Sequence, residues 1–285
     1  MEYAVEIRDL KKKYPDFMLD VDELNIPSGA VIGLIGENGA GKTTLIKSIL
    51  NIIHRDEGKI KIFNKDLDNE ELDIKEDIGV VLDNAFFPEI LDPGNIARIM
   101  KDVYKNWDSE LFGRYLKDFE INEKQTLKTM SKGMRKKVEI ASALAHHPKL
   151  LILDEATSGL DPIVRNEVLD IFMDFIKDDE HTVIMSTHIT SDLEHIADYI
   201  VFINRGKIVI NEERNELFDS YGILKCDPEK TDEIAKEDIV ACLKNRYDCE
   251  ILVKDKKACK EKYSGLVIDN ISLDELMLLM IKGGQ

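Results

Sequence analysis

The chain has 285 residues, of which 44% are hydrophobic and 33% charged, and its formal net charge is −17. This is enough material for one large folded domain with a smaller appendage. An acidic surface repels phosphate backbones, so we expect no nucleic acid partner. The charged amino terminus predicts no secretory signal, and every apolar run is far shorter than the roughly 20 residues needed to cross a bilayer.

The first informative segment is an apolar run at 30–35 (AVIGLI) that leads into a glycine-rich loop at 36–44 (GENGAGKTT). Helical spacing follows the loop, and strand, loop and helix in this order are typical of a phosphate-binding loop. Its amide groups are predicted to surround phosphate oxygens, and Lys42 to pair with the outer phosphates. Thr43 is a predicted Mg²⁺ ligand and Thr44 a second hydroxyl near the phosphates. The predicted phosphate-binding residues are Gly36, Asn38, Gly39, Ala40, Gly41, Lys42, Thr43 and Thr44.

Residues 59–82 (KIKIF and then IGVVL) predict a small antiparallel layer near the base of the nucleotide. Tyr14 is placed to stack on an adenine, although an exposed tyrosine with no ligand is an alternative. Residues 86–135 predict an inserted helical subdomain, in which Pro93 suits a first helical turn. We also expect strands at 181–187 and 200–210, and a core that closes near residue 215.

Two acidic residues and a histidine follow apolar runs that read as buried strands. Asp154 and Glu155 end the run at 150–155 (LLILDE), where Asp154 can join the metal shell and Glu155 can orient and deprotonate a water molecule. Paired acids at a strand end also serve as helix caps. His188 ends a later strand and is predicted to point at the γ-phosphate, whereas a histidine in such a place is otherwise often structural.

The tail at 216–285 predicts a small α+β domain with strands near 222–227, 240–244, 249–254 and 266–269. Its last helix opens with a capping box, Ser272 and Glu275. One face is predicted to carry Leu273, Leu276, Met277, Met280 and Ile281, either as core or as a docking surface. All four cysteines of the chain lie in the tail, at spacings that match no metal or redox motif, and are expected to be free thiols.

Together these motifs resemble the ATP-binding subunit of ATP-binding cassette (ABC) transporters over about residues 3–215. Two further motifs carry the resemblance: a signature at Ser131, Lys132, Gly133 and Met134, and a D-loop from Ser158 to Asp161. The likeness implies a P-loop NTPase (RecA-like) α/β core with an antiparallel β layer. It also implies Mg²⁺ with ATP as the cofactor, and head-to-tail pairing in which the Ser131 motif of one subunit covers ATP on the phosphate loop of the other. Asp161 before Pro162 also makes a good helix cap.

Three positions depart from the family pattern. Asp83 stands where the family usually has a glutamine, and a carboxylate there can still approach ATP and its metal ion. Lys132 replaces a glycine and Met134 a glutamine, so the signature keeps Ser131 and Gly133.

The sequence SKGMRKK and the sequence pattern of the tail resemble those of the ABC-2 exporter branch, near bacitracin-resistance and drug-efflux ATPases. This implies a homodimer or heterodimer at the cytoplasmic face of the membrane, working with a separate permease. A short cytoplasmic helix of the permease would lie at the helical insert and in the groove around residues 83–87, with Phe86, Phe87 and Pro88 as apolar contacts. Core packing of these three residues is the alternative. Two rival functions are a soluble ABC-type switch acting on ribosomes or DNA, and a small-molecule kinase. The first usually needs two cassettes in one chain, and the second leaves Ser131 and His188 unexplained.

Overall fold

The computed structural model describes residues 2–83, 87–245 and 248–283. The chain forms two compact units, the first made of Met1–Ile189 and Val201–Asn211, the second of Thr190–Ile200 and Glu212–Gln285. The second unit therefore takes in a segment that precedes the boundary predicted near residue 215. A hydrogen bond from Thr190 Oγ1 to Asp274 Oδ1 (2.7 Å) helps to explain why this segment belongs with the tail.

In the described residues before the tail, the strands are β1 (Tyr3–Tyr14), β2 (Phe17–Pro27), β3 (Val31–Ile35), β4 (Glu57–Ile62), β5 (Lys65–Asp66), β6 (Ile78–Val81), β7 (Leu150–Asp154), β8 (Thr182–Ser186), β9 (Tyr199–Asn204) and β10 (Lys207–Glu213). The α-helices in the same residues are α1 (Lys42–Ile49), α2 (Glu71–Glu76), α3 (Pro93–Val103), α4 (Ser109–Asp118), α5 (Lys132–Leu144), α6 (Pro162–Phe175) and α7 (Thr190–Ile196).

The strands form two sheets. One has the order β2-β1-β4-β5 and is antiparallel, and the other has the order β10-β9-β3-β8-β7-β6. Strands β3, β8, β7 and β6 run parallel to one another, and every residue of β3, β7 and β8 is buried. Burial on both faces explains why these strands read as continuous apolar runs. Their carboxyl ends lie at one edge of the sheet, where the predicted site residues follow them.

One strand lies elsewhere than the sequence predicted. Lys59 to Ile62 does belong to the antiparallel layer, through β4, but β6 pairs in parallel with β7, with Ile78 opposite Leu150. Placing IGVVL in the antiparallel layer was therefore wrong. A strand that is covered on both faces is apolar throughout, and this run accordingly shows no alternation of polar and apolar residues.

The helices α3, α4 and α5 enclose a core of their own. Its buried side chains include Ile96, Met100, Phe112 and Leu116, and Phe87 lies among them at 9% exposure. Phe87 is thus a core residue and not a surface contact. Pro88 is exposed, and Phe86 lies outside the described residues.

The second unit contains an antiparallel sheet of order β12-β13-β11-β14, built from β11 (Gly222–Cys226), β12 (Ala241–Lys244), β13 (Cys249–Val253) and β14 (Val267–Asp269). Its helices include α8 (Arg214–Ser220), α9 (Lys256–Lys262) and α10 (Leu273–Lys282), and the capping box of α10 is present. Leu273, Leu276 and Leu279 form the buried face of α10, whereas Met277, Met280 and Ile281 are half-buried. The α/β class with an α+β tail is confirmed. In the described ranges, each helix is too short or too polar to cross a bilayer.

Candidate nucleotide site

A cavity of 640 Å³ opens at the carboxyl edge of the parallel strands. Most of the predicted site residues line it: Tyr14, Asn38, Gly39, Gly41, Lys42, Thr43, Thr44, Asp83, Glu155, Ser158 and His188. Phe17 and Glu37 line it too and were not predicted. Gly36, Ala40 and Asp154 are buried behind the wall.

Two glycines of the phosphate loop have backbone conformations that other residues rarely adopt. Gly36 has φ 155°, and a Cβ there would lie 2.3 Å from the carbonyl oxygen of Ile203. Gly41, which caps α1, has φ 117°, and its Cβ would press on the ring of Phe17 at 3.0 Å. The loop can therefore pass close to β9 and to the aromatic wall only because both positions lack a side chain.

Lys42 is the cation of the loop and is only 6% exposed. Its Nζ donates to the carbonyl oxygens of Gly36 (2.7 Å) and Glu37 (3.2 Å). Burial lowers the pKa of Lys42, while the carboxylates of Glu155 and Asp154 act in the opposite direction. The ammonium group is held inside the loop, which is partly desolvated. A phosphate group bound in the loop would interact with it there.

Asp154 is 3% exposed, and Ser186 Oγ donates to its Oδ1 over 2.6 Å. The hydroxyl group is neutral, so a cation nearby would compensate for the burial of this carboxyl group. Thr43 and Asp83 line the cavity and carry the other oxygen groups that are predicted to bind the metal. Hard oxygen donors of this kind suit Mg²⁺, so the residues fit the metal that the sequence predicts.

Glu155 and His188 are joined directly. His188 Nδ1 donates to Glu155 Oε2 over 2.6 Å, and the glutamate side chain is 16% exposed against 54% for the histidine. The Glu155 backbone has a left-handed φ of 53°, and its amide donates to Ser186 O at 2.9 Å. Strands β7 and β8 thus fix the point from which the carboxylate enters the cavity.

The opposite wall is aromatic. Tyr14 and Phe17 flank the turn between β1 and β2 and pair across it, with ring centroids 6.2 Å apart. Tyr14 is 43% exposed, which leaves a ring face open to a flat ligand. Phe17 could have been found by pairing the residues on either side of the Pro15-Asp16 turn.

The helix α5 is tied to the segment that carries Asp83. Lys136 Nζ donates to the carbonyl oxygen of Leu82 at 2.8 Å and lies 2.9 Å from Glu139 Oε2. Both charged side chains are almost completely buried, at 5% and 8% exposure. This contact fixes the backbone immediately before Asp83 with respect to α5.

The signature and the D-loop lie at the starts of α5 and α6. Ser131 caps α5 and its Oγ accepts from Met134 N (3.1 Å), and Asp161 caps α6 in the same way. Lys132 lies against the D-loop, since a Cβ on Gly159 would be 2.5 Å from its Nζ. Among the described residues that line the cavity, the D-loop supplies Ser158, and the signature supplies none.

Comparison with known proteins identifies the family. The model of the ABC transporter family matches residues 19–158. The lantibiotic transport ATP-binding protein SrtF of Streptococcus pyogenes is 34% identical over 211 residues, which are 73% of this chain and 90% of SrtF. The chain belongs to the ABC transporter family.

Other ABC transporter ATP-binding proteins agree with this assignment. The bacitracin transport protein BcrA of Bacillus licheniformis is 33% identical, covering 73% of this chain and 69% of BcrA. The structure of an ATP-binding subunit of an ABC transporter superposes with a TM-score of 0.67 at 25% identity, covering 75% of this chain and 91% of that one. CbiO1 from Clostridium perfringens, part of the transporter complex cbiONQ, gives a TM-score of 0.62 at 26% identity, with coverages of 76% and 91%. The chain is an ATP-binding subunit of an ABC transporter and an ATPase.

Proposed function

We propose that this ATPase drives a membrane exporter by closing, as a head-to-tail dimer, around two molecules of Mg-ATP. The observation that carries the proposal is the incomplete wall of the cavity. The phosphate loop, Glu155 and His188 line it, while Ser131 stands exposed at the start of α5. A second subunit would bring its own Ser131, with the amino end of its α5, to the open side.

Binding of ATP uses two parts of the cavity. The phosphates lie in the loop at 36–44, where the backbone amides, the amino end of α1 and Lys42 all favour negative charge. The adenine stacks on Tyr14, with Phe17 behind it. Thr43, Asp154 and Asp83 hold Mg²⁺, which supplies positive charge to the phosphate oxygens when bound.

Hydrolysis is attack of a water molecule on the γ-phosphorus, which breaks the bond to the bridging oxygen and yields ADP and phosphate. Glu155 accepts a hydrogen bond and then a proton from that water, since its carboxylate enters the cavity from a fixed backbone. His188 orients the carboxylate through the bond to Oε2 and reaches the γ-phosphate from the same side.

The closing and opening of the dimer move a separate membrane permease. Three apolar side chains near the start of the helical segment and on α3 are exposed: Ile90 (80%), Ile99 (44%) and Val103 (60%). Ile99 and Val103 are one helical turn apart on α3, and an exposed apolar face of this kind would suit a short helix of a membrane protein, which would place the ATPase at the cytoplasmic face. Relatives named as lantibiotic transport, bacitracin transport and daunorubicin/doxorubicin resistance ATP-binding proteins support export as the direction of transport.

The test uses Glu155→Gln, which keeps the size and polarity of the side chain but cannot accept the proton. We expect ATP to bind, hydrolysis to fall by about 10²- to 10⁴-fold, and the closed dimer to accumulate. Sedimentation with Mg-ATP measures the dimer and phosphate release measures turnover. Unchanged turnover would remove Glu155 from this role.

The dimer is tested separately by adding Ser131→Arg to Glu155→Gln. A bulky cation at the exposed start of α5 should prevent closure while ATP still binds each monomer. Gly113→Arg is the matched control, because a Cβ at this exposed position of α4 meets no atom within 4 Å. A closed dimer that survives Ser131→Arg would contradict the head-to-tail arrangement.

A further inference from the structure

Three of the four cysteines lie side by side across the sheet of the second unit. Cys249 on β13 is directly opposite Cys226 on β11. Cys242 on β12 is diagonal to Cys249, since their register partners are Ile251 and Lys244. All three side chains therefore lie on one face of neighbouring antiparallel strands.

Two of these thiols are almost in bonding position. Cys242 Sγ is 3.1 Å from Cys249 Sγ, and a disulfide needs about 2.05 Å, so a shift of about 1 Å would close the gap. Cys249 is fully buried and Cys226 is 8% exposed, whereas Cys242 is partly exposed. A reagent in solution would therefore meet Cys242 first.

We propose that Cys242 and Cys249 are a redox modification site, at which a reversible disulfide joins β12 to β13. The partner reagent is a small-molecule disulfide of the glutathione type. The reaction is independent of ATP hydrolysis and needs only residues of the second unit.

The exchange has two steps. The Cys242 thiolate attacks one sulfur of the small disulfide, whose S–S bond breaks and releases one small thiolate. The Cys249 thiolate then attacks the Cys242 sulfur, which forms the protein disulfide and releases the second small thiolate. Two protein thiols lose two electrons and two protons, and the small disulfide gains them as two thiols.

The surroundings make this disulfide slow both to form and to reduce. Burial and the neighbouring Cys249 thiol raise the pKa of Cys242 to about 11, so the reactive thiolate is scarce at neutral pH. A thiolate that is poorly stabilised is also a poor leaving group, which protects the bond once it is made.

The experiment uses the full chain, equilibrated with oxidised glutathione and then with reduced glutathione. Free thiols are alkylated, the protein is digested, and cross-linked peptides are identified by mass spectrometry. We expect two of the four thiols to escape alkylation after oxidation, a peptide linking Cys242 to Cys249, and full recovery after reduction.

Two variants sharpen the result. Cys242→Ser should leave no bond between β12 and β13. Cys259→Ser is the matched control, because Cys259 is a buried thiol of the same unit outside the group of three, and it should leave the bond unchanged. Four alkylated thiols in the folded wild-type chain after oxidation would overturn the proposal, as would a disulfide formed only between chains.

Discussion

Lys42 shows how the phosphate loop keeps its shape. Its ammonium group donates to two carbonyl oxygens of the same loop, from Gly36 and Glu37. The loop is thus closed around its own cation. ATP that binds as proposed would exchange these carbonyl partners for phosphate oxygens, which form stronger, charge-assisted hydrogen bonds.

Lys42→Met separates stability from ligand binding. Burial lowers the pKa of Lys42, so the protonated group does not favour folding, and its loss should change the nucleotide-free stability by no more than about 1 kcal/mol. The wild-type chain should gain about 2.7 kcal/mol at an Mg-ATP concentration of 100 times Kd, and the variant should lose this gain. Thermal unfolding with and without Mg-ATP measures both. Lys47→Met, on the same helix, is the control. If Lys42→Met gained as much stability from Mg-ATP as the wild-type chain, the assignment of Lys42 to phosphate binding would be refuted.

At the scale of elements, α5 joins two parts of the site. Its first residues carry the signature, and Lys136 bonds to the backbone before Asp83. Lys136 and Glu139 form an ion pair. Glu139 Oε2 accepts no hydrogen bond from the described residues. Removing one charge leaves the other buried without compensation, while removing both does not.

Glu139→Ala should therefore destabilise the chain by about 3–5 kcal/mol. Replacing both residues, as Lys136→Met with Glu139→Leu, should cost much less. Glu167→Ala breaks an ion pair with Lys137, which lies on α5 like Lys136. Because the Glu167 side chain is 50% exposed, this change should cost no more than about 1 kcal/mol. Urea denaturation compares the three. A cost for Glu139→Ala as small as that for Glu167→Ala would mean that the buried pair contributes little.

The last helix, α10, depends on its capping box. Ser272 Oγ accepts from Glu275 N and the Glu275 carboxylate accepts from Ser272 N (2.9 Å). Ser272→Ala should weaken α10 by about 1 kcal/mol, which corresponds to roughly fivefold faster amide exchange. Hydrogen exchange across residues 273–282 measures this. Asp255→Ala, which removes the cap of α9, should speed exchange in α9 instead, and the same pattern in both variants would contradict a local effect.

Local patterns predicted most of these elements, with two instructive failures. The IGVVL run lacks the polar and apolar alternation of a half-exposed strand, a signal that the prediction overlooked, and it pairs in parallel with β7. In α10, Leu279 was omitted from the buried face although it is 1% exposed. Which part of an apolar helix is covered depends on the sheet beneath it, and helical spacing alone does not supply that.

For the molecule as a whole, charge opposes association. Each chain carries −17, so two copies repel each other, and ATP with Mg²⁺ must supply the attraction that closes the proposed dimer. Raising the ionic strength from about 0.01 to about 0.15 M shortens the Debye length from about 30 to about 8 Å. Sedimentation of Glu155→Gln in saturating Mg-ATP should show tighter dimerisation at the higher salt. A dimer that weakens with salt would indicate that attractive ion pairs across the interface prevail.

The order of motifs along the chain predicts that Lys42, Glu155 and His188 lie near one another, and these three residues line one cavity. Strands β3, β7 and β8 are parallel neighbours, so the segments that follow them, with Lys42, Glu155 and His188, meet at one edge. Phe17 escaped prediction because its position depends on the register of the β1-β2 turn. The bond between His188 and Glu155 was also not predicted, since side-chain pairing across a sheet edge leaves no trace in spacing.

Glu155 stands on a backbone conformation that suits glycine better than any residue with a side chain. Replacing Glu155 by glycine would relieve this conformation and at the same time remove the carboxylate that the proposed hydrolysis uses. The residue that suits the backbone best here is therefore not the one that the proposed mechanism needs.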